Sequence, residues 1–445
     1  MTDTIPSHTE APVEEPQGEV AGGGWRLAAI VGIVVGFGII TKASVLIVVL
    51  ALVIMIFLHE LGHYLTAKWS GMKVTEFFIG FGPKLWSFRR GETEYGLKAV
   101  PAGAYVRIIG MNNLEEVPLA DEPRTYRQQS FPKRLLVVSA GSMMHFLQAF
   151  ALIILLFSVV GVPGGTGLSQ KLGGEAAGAE DWVVGSVVAG SAAATAGIQS
   201  GDDIVSIDGQ TITEWDDVGT AVSSRANETV DVVVVRDGQE QTVEATIGEN
   251  PDEPDRGFLG IGAGVDLPDV TVGPVRAVGE AASFTVESMG DAVGALGGFF
   301  TGGIGGFADQ VANGGNPTAS SETADDDDGD THGRVASQGD EDRLLSIYGA
   351  ARIGVDLTDR GIADLLLFLV SINIFIGIFN MVPLLPLDGG HAAIAIYERI
   401  RSFGGRRYMA DVSRLLPLTY AFVMLLLLLG VSSLYLDIVD PIGVG

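Results

Sequence analysis

Cysteine is absent from the 445 residues. That excludes a disulfide scaffold, a zinc–thiolate centre and a cysteine nucleophile. Basic residues are scarce: 27 Lys+Arg stand against 54 Asp+Glu, a net charge of −27. A nucleic-acid binder needs a basic footprint, so no nucleic-acid partner is expected. Histidine is rarer still, and a site that uses imidazole must draw on six residues. The 61 glycines follow no three-residue period, which excludes collagen. Apolar sequence, by contrast, is plentiful. Only 18% of residues are charged, 47% are hydrophobic and mean hydropathy is +0.36. An acidic soluble chain rarely reaches a positive value, so charge and apolarity must occupy different segments. The length allows two or three domains.

Residues 1–24 are rich in Pro, Glu, Thr and Gly and read as a disordered acidic tail. They lack the basic start of a secretory signal. Apolar blocks at 43–67, 135–162, 362–390 and 415–436 are each long enough for the roughly 20 residues that cross a bilayer. A shorter block at 25–41 is expected to be an additional N-terminal span. The fold class expected is a polytopic α-helical membrane protein with four core spans. Its location is a cell membrane, with the lipid bilayer as its solvent.

The charges place the connections. Residues 66–134 hold 11 Lys+Arg and 7 Asp+Glu, whereas 161–361 hold 9 basic and 35 acidic residues. Basic loops stay in the cytoplasm, which puts 68–134 inside and 161–361 outside. Within the outer segment, 182–265 read as a small β-rich domain: Val183–Val188 and Val230–Val235 are β-branched, and Asp208-Gly209 and Asp237-Gly238 are turn signals. Residues 274–310 read as an amphipathic segment on the membrane surface. Residues 312–342, with their Asp run, read as a flexible acidic linker.

His59-Glu60-Leu61-Gly62-His63 fits H-E-x-x-H. Residues four apart share a helix face, so both imidazoles can bind one Zn²⁺, with Glu60 beside it as general base. Ionisable groups at the end of a transmembrane helix are expensive and are kept for function. The plainer alternative is a helix end emerging into water. A catalytic zinc needs a third protein ligand. The fourth core block ends Asn380-Met381-Val382-Pro383-Leu384-Leu385-Pro386-Leu387-Asp388-Gly389-Gly390-His391. Asp388 lies at the cytoplasmic end of a span that runs in the same direction as the first, so the two half-sites can meet at one depth. The prolines break the helix there. His145 and His391 are the other histidines within reach of such a site.

These motifs resemble those of the site-2 protease family of intramembrane zinc metalloproteases, and most closely its bacterial members with an inserted PDZ domain, of actinobacterial type. His59-Glu60-Leu61-Gly62-His63 matches the first motif and Asn380-x-x-Pro383-x-x-Pro386-Leu387-Asp388-Gly389 the second. The stretch Val74 to Gly110 looks like the family's membrane-associated β-hairpin. The resemblance implies one Zn²⁺ held by His59, His63 and Asp388, with Glu60 as the base. It implies cleavage of transmembrane protein substrates within the bilayer, commonly anti-sigma factors, after another protease has trimmed them. It assigns Asn380 to substrate contact or oxyanion stabilisation. One departure stands out: where the family often has Gly-Pro-x-x-Asn, this chain has Gly141-Ser142-Met143-Met144-His145, so either His145 takes over any role of that Asn in positioning substrate or the role is lost.

Residues 185–209, from Gly185-x-Val187 to Ile207-Asp208-Gly209, resemble a PDZ core, with Gly257, Phe258, Leu259 and Gly260 as the carboxylate-binding loop. Such loops hold a peptide C-terminus on backbone N–H groups. A PDZ fold that binds no peptide and filters substrates by size is the equal alternative. Alternation over Glu94–Ala99 suggests an exposed edge that could pair with an unwound substrate, or else an ordinary amphipathic hairpin. Two other functional classes fit less of the sequence. An inactive membrane-protein binder has no use for an intact H-E-x-x-H with Asp388, and an ion transporter gives no account of Glu60 or the outer domain.

Overall fold

The computed structural model describes residue 32 and residues 43–111, 115–176, 178, 182–188, 190–250, 256–299, 301, 346–402 and 408–439. The expected tail 1–24, the linker 312–342 and, apart from Gly32, the short span 25–41 lie outside these residues. Among the described residues, four helical stretches are long and apolar enough to cross a membrane: Ala43–Trp69, Phe131–Val160, Ile362–Asn380 and Val412–Val439, with mean hydropathies of 2.3 to 2.7. Each contains a long, strongly apolar window, as membrane-spanning helices do. The chain is a multi-pass membrane protein.

Helix α1 (Ala43–Trp69) leads into two long strands, β1 (Val74–Arg90) and β2 (Thr93–Ile108), joined by a turn at Gly91. Both strands bend back on themselves. Residues 76–79 of β1 pair with 104–107 of β2 on one side and with 94–97 on the other, while 84–90 pair with 93–98. The result is a small sheet of four arms in the order 104–108, 74–79, 93–98, 84–90. Gly80, Gly82 and Gly103 have φ of 88°, 84° and 154°, the left-handed backbone that glycine supplies at the corners. Glu94–Leu97 is therefore an interior arm, not the exposed edge that its alternation suggested. The edges are 84–90 and 104–108.

Helix α2 (Phe131–Leu155) starts after Ser130 with Pro132 in its first turn and ends in a π turn over Leu156–Val160. A short helix α3 (Gly167–Lys171) precedes the outer β-rich unit. That unit comprises β3 (Trp182–Val187), α4 (Ala192–Ala196), β4 (Asp203–Ile207), β5 (Gln210–Thr211), α5 (Trp215–Val222), β6 (Thr229–Arg236), β7 (Gln239–Thr246), β8 (Gly248–Glu249), β9 (Gly257–Phe258) and β10 (Ile261–Val265). Its main sheet has the order β5-β4-β6-β7, and β3 pairs with β10. Val184, Ile204, Ile207, Val232, Val234 and Ile247 are wholly buried in its core. Ser191 caps α4 by accepting from Ala194 N–H, and Gly197 ends it at φ 82°. At the edge of the core Asp202 is sealed, and both of its oxygens accept from the Arg236 guanidinium at 2.7 Å.

Helix α6 (Pro274–Gly298) packs Ala277 and Ala281 into a cluster with Ile153, Leu156 and Phe157 of the α2 stretch and with Val370 and Ile374. Helix α7 (Ile347–Arg360) is followed by α8 (Ile362–Asn380), α9 (Asp388–Arg401) and α10 (Leu416–Val439). The block read as one span over 362–390 is thus two helices. Helix α8 stops at Asn380, the turn of Met381–Leu387 carries Pro383 and Pro386, and α9 begins at Asp388. Gly389 and Gly390 let that start press against the turn: a Cβ at 389 would clash with Met381 O, and one at 390 would lie 2.5 Å from Leu385 N.

Candidate active site

Helix α1 brings His59 and His63 to one face, one turn apart. Their Nε2 atoms are 3.3 Å from each other. Asp388, at the first position of α9, places Oδ2 at 3.2 Å from His63 Nε2 and 3.6 Å from His59 Nε2. Three lone-pair-bearing atoms thus converge from two separate helices, a group that could hold a metal ion. Bonds of about 2.0–2.1 Å to a tetrahedral Zn²⁺ space neighbouring ligand atoms roughly 3.3–3.4 Å apart, and the observed triangle fits that spacing. His59 Nδ1 and Asp388 Oδ2 are buried and have no hydrogen-bond partner among the described residues. Buried polar atoms are rarely left so, and a cation at the centre answers for the carboxylate oxygen.

The surroundings orient the candidate ligands. His63 Nδ1 lies 2.7 Å from Val137 O on α2, and since a carbonyl only accepts, Nδ1 carries the proton and Nε2 faces the cluster. The helices carrying the site pack closely because glycine occupies the contacts. A Cβ at Gly62 would lie 2.7 Å from Ala140 O, and one at Gly141 would overlap the rings of both His59 and His63. Asp388 sits at a helix N-terminus, where the backbone dipole favours a carboxylate. Glu60, next to His59, lies near the backbone N–H of Val106 in the sheet.

A model of peptidase family M50 matches residues 47–315 and 337–427, most of the chain and both half-sites. The chain belongs to peptidase family M50, the site-2 proteases. It is a metalloprotease. The M50 chain is 33% identical over 408 residues to the zinc metalloprotease Rip1 of Mycobacterium tuberculosis, covering 88% of this chain and 96% of that one. It is 30% identical to Rip1 of Mycolicibacterium smegmatis, covering 92% and 99%. It is 29% identical to a putative zinc metalloprotease of Rhizobium meliloti, covering 85% and 91%. Among solved structures, an HtrA-type protease bound to a decapeptide is 24% identical, covering 24% of this chain and 34% of that one, with a TM-score of 0.16.

The other residues singled out from the sequence fall in different places. Asn380 closes α8, one turn of chain before Asp388. His145, on α2, has its ring centroid 4.9 Å from that of His59. His391 faces a small cavity with Tyr126, Arg134 and Glu398. In the outer unit, Gly257 N–H is spent on Ser223 O at 2.9 Å, Phe258 pairs with Gly248, Leu259 is buried and Gly260 has φ of 82°. Two neighbours of the candidate site escaped sequence reasoning. Asn373 of α8 meets His145 at 3.0 Å; an Asn in the middle of an apolar span was the available signal. Arg134 pairs with the buried Glu398 at 2.6 Å and so ties α2 to α9; nothing local marks that contact.

Proposed function

We propose that this M50 metalloprotease cleaves peptide bonds within the transmembrane segments of other membrane proteins. The observation that supports it best is the convergence of His59, His63 and Asp388 at the ends of two apolar spans. The cofactor is Zn²⁺, and these three residues are its proposed ligands. A zinc ion held there would supply Lewis acidity for the scissile carbonyl and for a bound water. Glu60 takes a proton from the attacking water on its carboxylate and returns it to the departing peptide nitrogen. Asn380 and His145 are proposed to contact the substrate backbone.

The rest of the chain is read around that site. The sheet of 74–108 lies on the cytoplasmic leaflet, with the exposed Phe81, Leu85, Phe88 and Val100 turned to lipid. The active site faces the cytoplasm and the acidic outer unit faces the other side, as the charge asymmetry implies. Residues 182–265 act as a PDZ domain over the site. Its loop from Gly257 to Gly260 is where a peptide C-terminus would bind, if it serves as more than a size filter. Substrates of the anti-sigma-factor type are proposed from the family resemblance.

Glu60→Gln separates the roles. The purified variant is expected to keep one zinc per chain and to lose cleavage of a membrane substrate by at least a hundredfold, the usual worth of a positioned base. Undiminished cleavage would refute the mechanism. Stoichiometric zinc retained in a chain altered at His59, His63 and Asp388 together would refute the site.

A further inference from the structure

His145, where the chain departs from the family pattern, has a partner on another span. Only 2% of it is exposed. Its ring lies against His59, yet it is not among the three groups whose ligand atoms converge. His145 Nδ1 lies 3.0 Å from Oδ1 of Asn373, itself 2% exposed. Asn373 Nδ2 donates to Leu369 O at 2.8 Å, which settles how the amide is turned. The atom facing the imidazole is then an oxygen, which only accepts, so the shared proton sits on His145 Nδ1. Gly377 allows this approach of α2 to α8: a Cβ there would lie 2.8 Å from Phe146 Cε1 and 3.2 Å from His145 Cβ.

In the neutral ring Nε2 therefore carries a lone pair and no hydrogen, and no described residue hydrogen-bonds to it. That leaves Nε2 as the ring's open acceptor, able to take a hydrogen bond from a donor that enters the site. A transmembrane substrate brings the complement. Once unwound for cleavage, its peptide N–H groups have lost their helical partners in a place with little water.

We propose that Asn373 is a positioning residue that holds the proton of His145 on Nδ1, so that His145 Nε2 accepts a backbone N–H of the unwound substrate beside the zinc. The inference rests on the zinc-site reading above.

Two probes separate it from that reading. Acetohydroxamic acid offers a zinc-binding head and no peptide; a peptidic hydroxamate adds backbone N–H groups. Binding of each to the zinc-loaded full chain in detergent is measured by calorimetry. His145→Phe and Asn373→Leu should each bind the peptidic compound about tenfold more weakly, the worth of one hydrogen bond. Both should bind acetohydroxamic acid as the parent does, which also shows that they are folded and metallated. His145→Gln, which keeps an acceptor, should recover most of the affinity. The double variant should be no weaker than His145→Phe alone, since the two act as a unit. Unchanged affinity for the peptidic compound overturns the proposal. Equal weakening for both compounds also overturns it, because His145 would then be acting on the metal. If Asp388→Ala still binds acetohydroxamic acid as the parent does, the zinc site is misassigned and the inference falls with it.

Discussion

The absence of one methyl group at position 141 decides whether the two imidazoles of α1 can keep their places. Gly141 faces His59 and His63 so closely that a Cβ would overlap both rings. Gly141→Ala is expected to leave the helices formed but to displace one imidazole, because overpacking a dense contact costs about 1–3 kcal/mol. Zinc affinity, measured by chelator competition, should fall tenfold or more while the helical circular-dichroism signal stays. Unaltered affinity would mean that the helices separate freely there. At the same scale, the Nδ1–H of His63 given to Val137 O predetermines which nitrogen faces the proposed metal position. H-E-x-x-H reveals its own chemistry in the sequence because four residues make one helical turn. His145 with Asn373 does not, because that pair joins residues 228 apart.

Elements were legible where periodicity or composition controls them. The long apolar blocks became helices because a uniformly apolar chain in lipid must satisfy its own hydrogen bonds. The β-branched run 230–235 lies in strand β6, and 183–187 of the other run lie in β3, which ends one residue before Val188. The break after Asn380 was signalled by Pro383 and Pro386. The four-armed sheet was not legible, since alternation marks a strand without saying which neighbours flank it; the corners at Gly80, Gly82 and Gly103 made an interior arm of Glu94–Leu97. The turn of that sheet is pinned to α1 by charge. Glu92 accepts from the Arg124 guanidinium at 2.7 and 2.8 Å and from Lys68 Nζ at 2.7 Å. The Arg124 fork, helped by Lys68 and opposed by partial burial, lowers the Glu92 carboxyl from 4.5 to about 2. A lowered folded value means that this stabilisation is full above about pH 4.5 and is lost as pH falls through 2. Glu92→Gln should therefore cost on the order of 1 kcal/mol near pH 7, given solvent screening, and progressively less below pH 4.5. Melting of both proteins in detergent across that range checks it, and a gap that widens in acid would contradict it.

On the scale of the whole molecule, the acidic excess has an address. Of the net −27, the segment 161–361 contributes 9 basic against 35 acidic residues, which leaves the connection 66–134 basic. The cysteine-free chain makes the implied orientation easy to read, because any thiol introduced is the sole one. A thiol at Gln241→Cys, exposed on β7, is expected to react with a membrane-impermeant maleimide in intact cells. One at Arg89→Cys, exposed on β1, should react only after permeabilisation. The reverse labelling would invert the proposed topology.

The two half-sites are also far apart in time. His59 and His63 belong to the first described span, and Asp388 follows the third, roughly 330 residues later. During synthesis at about 5–20 residues per second, the histidines enter the membrane tens of seconds before their carboxylate exists. A nascent or truncated chain thus carries two of the three proposed ligands and no complete centre. Proteolytic power is withheld until α9 has been made and docked, so the membrane through which the chain is being threaded is not exposed to it beforehand.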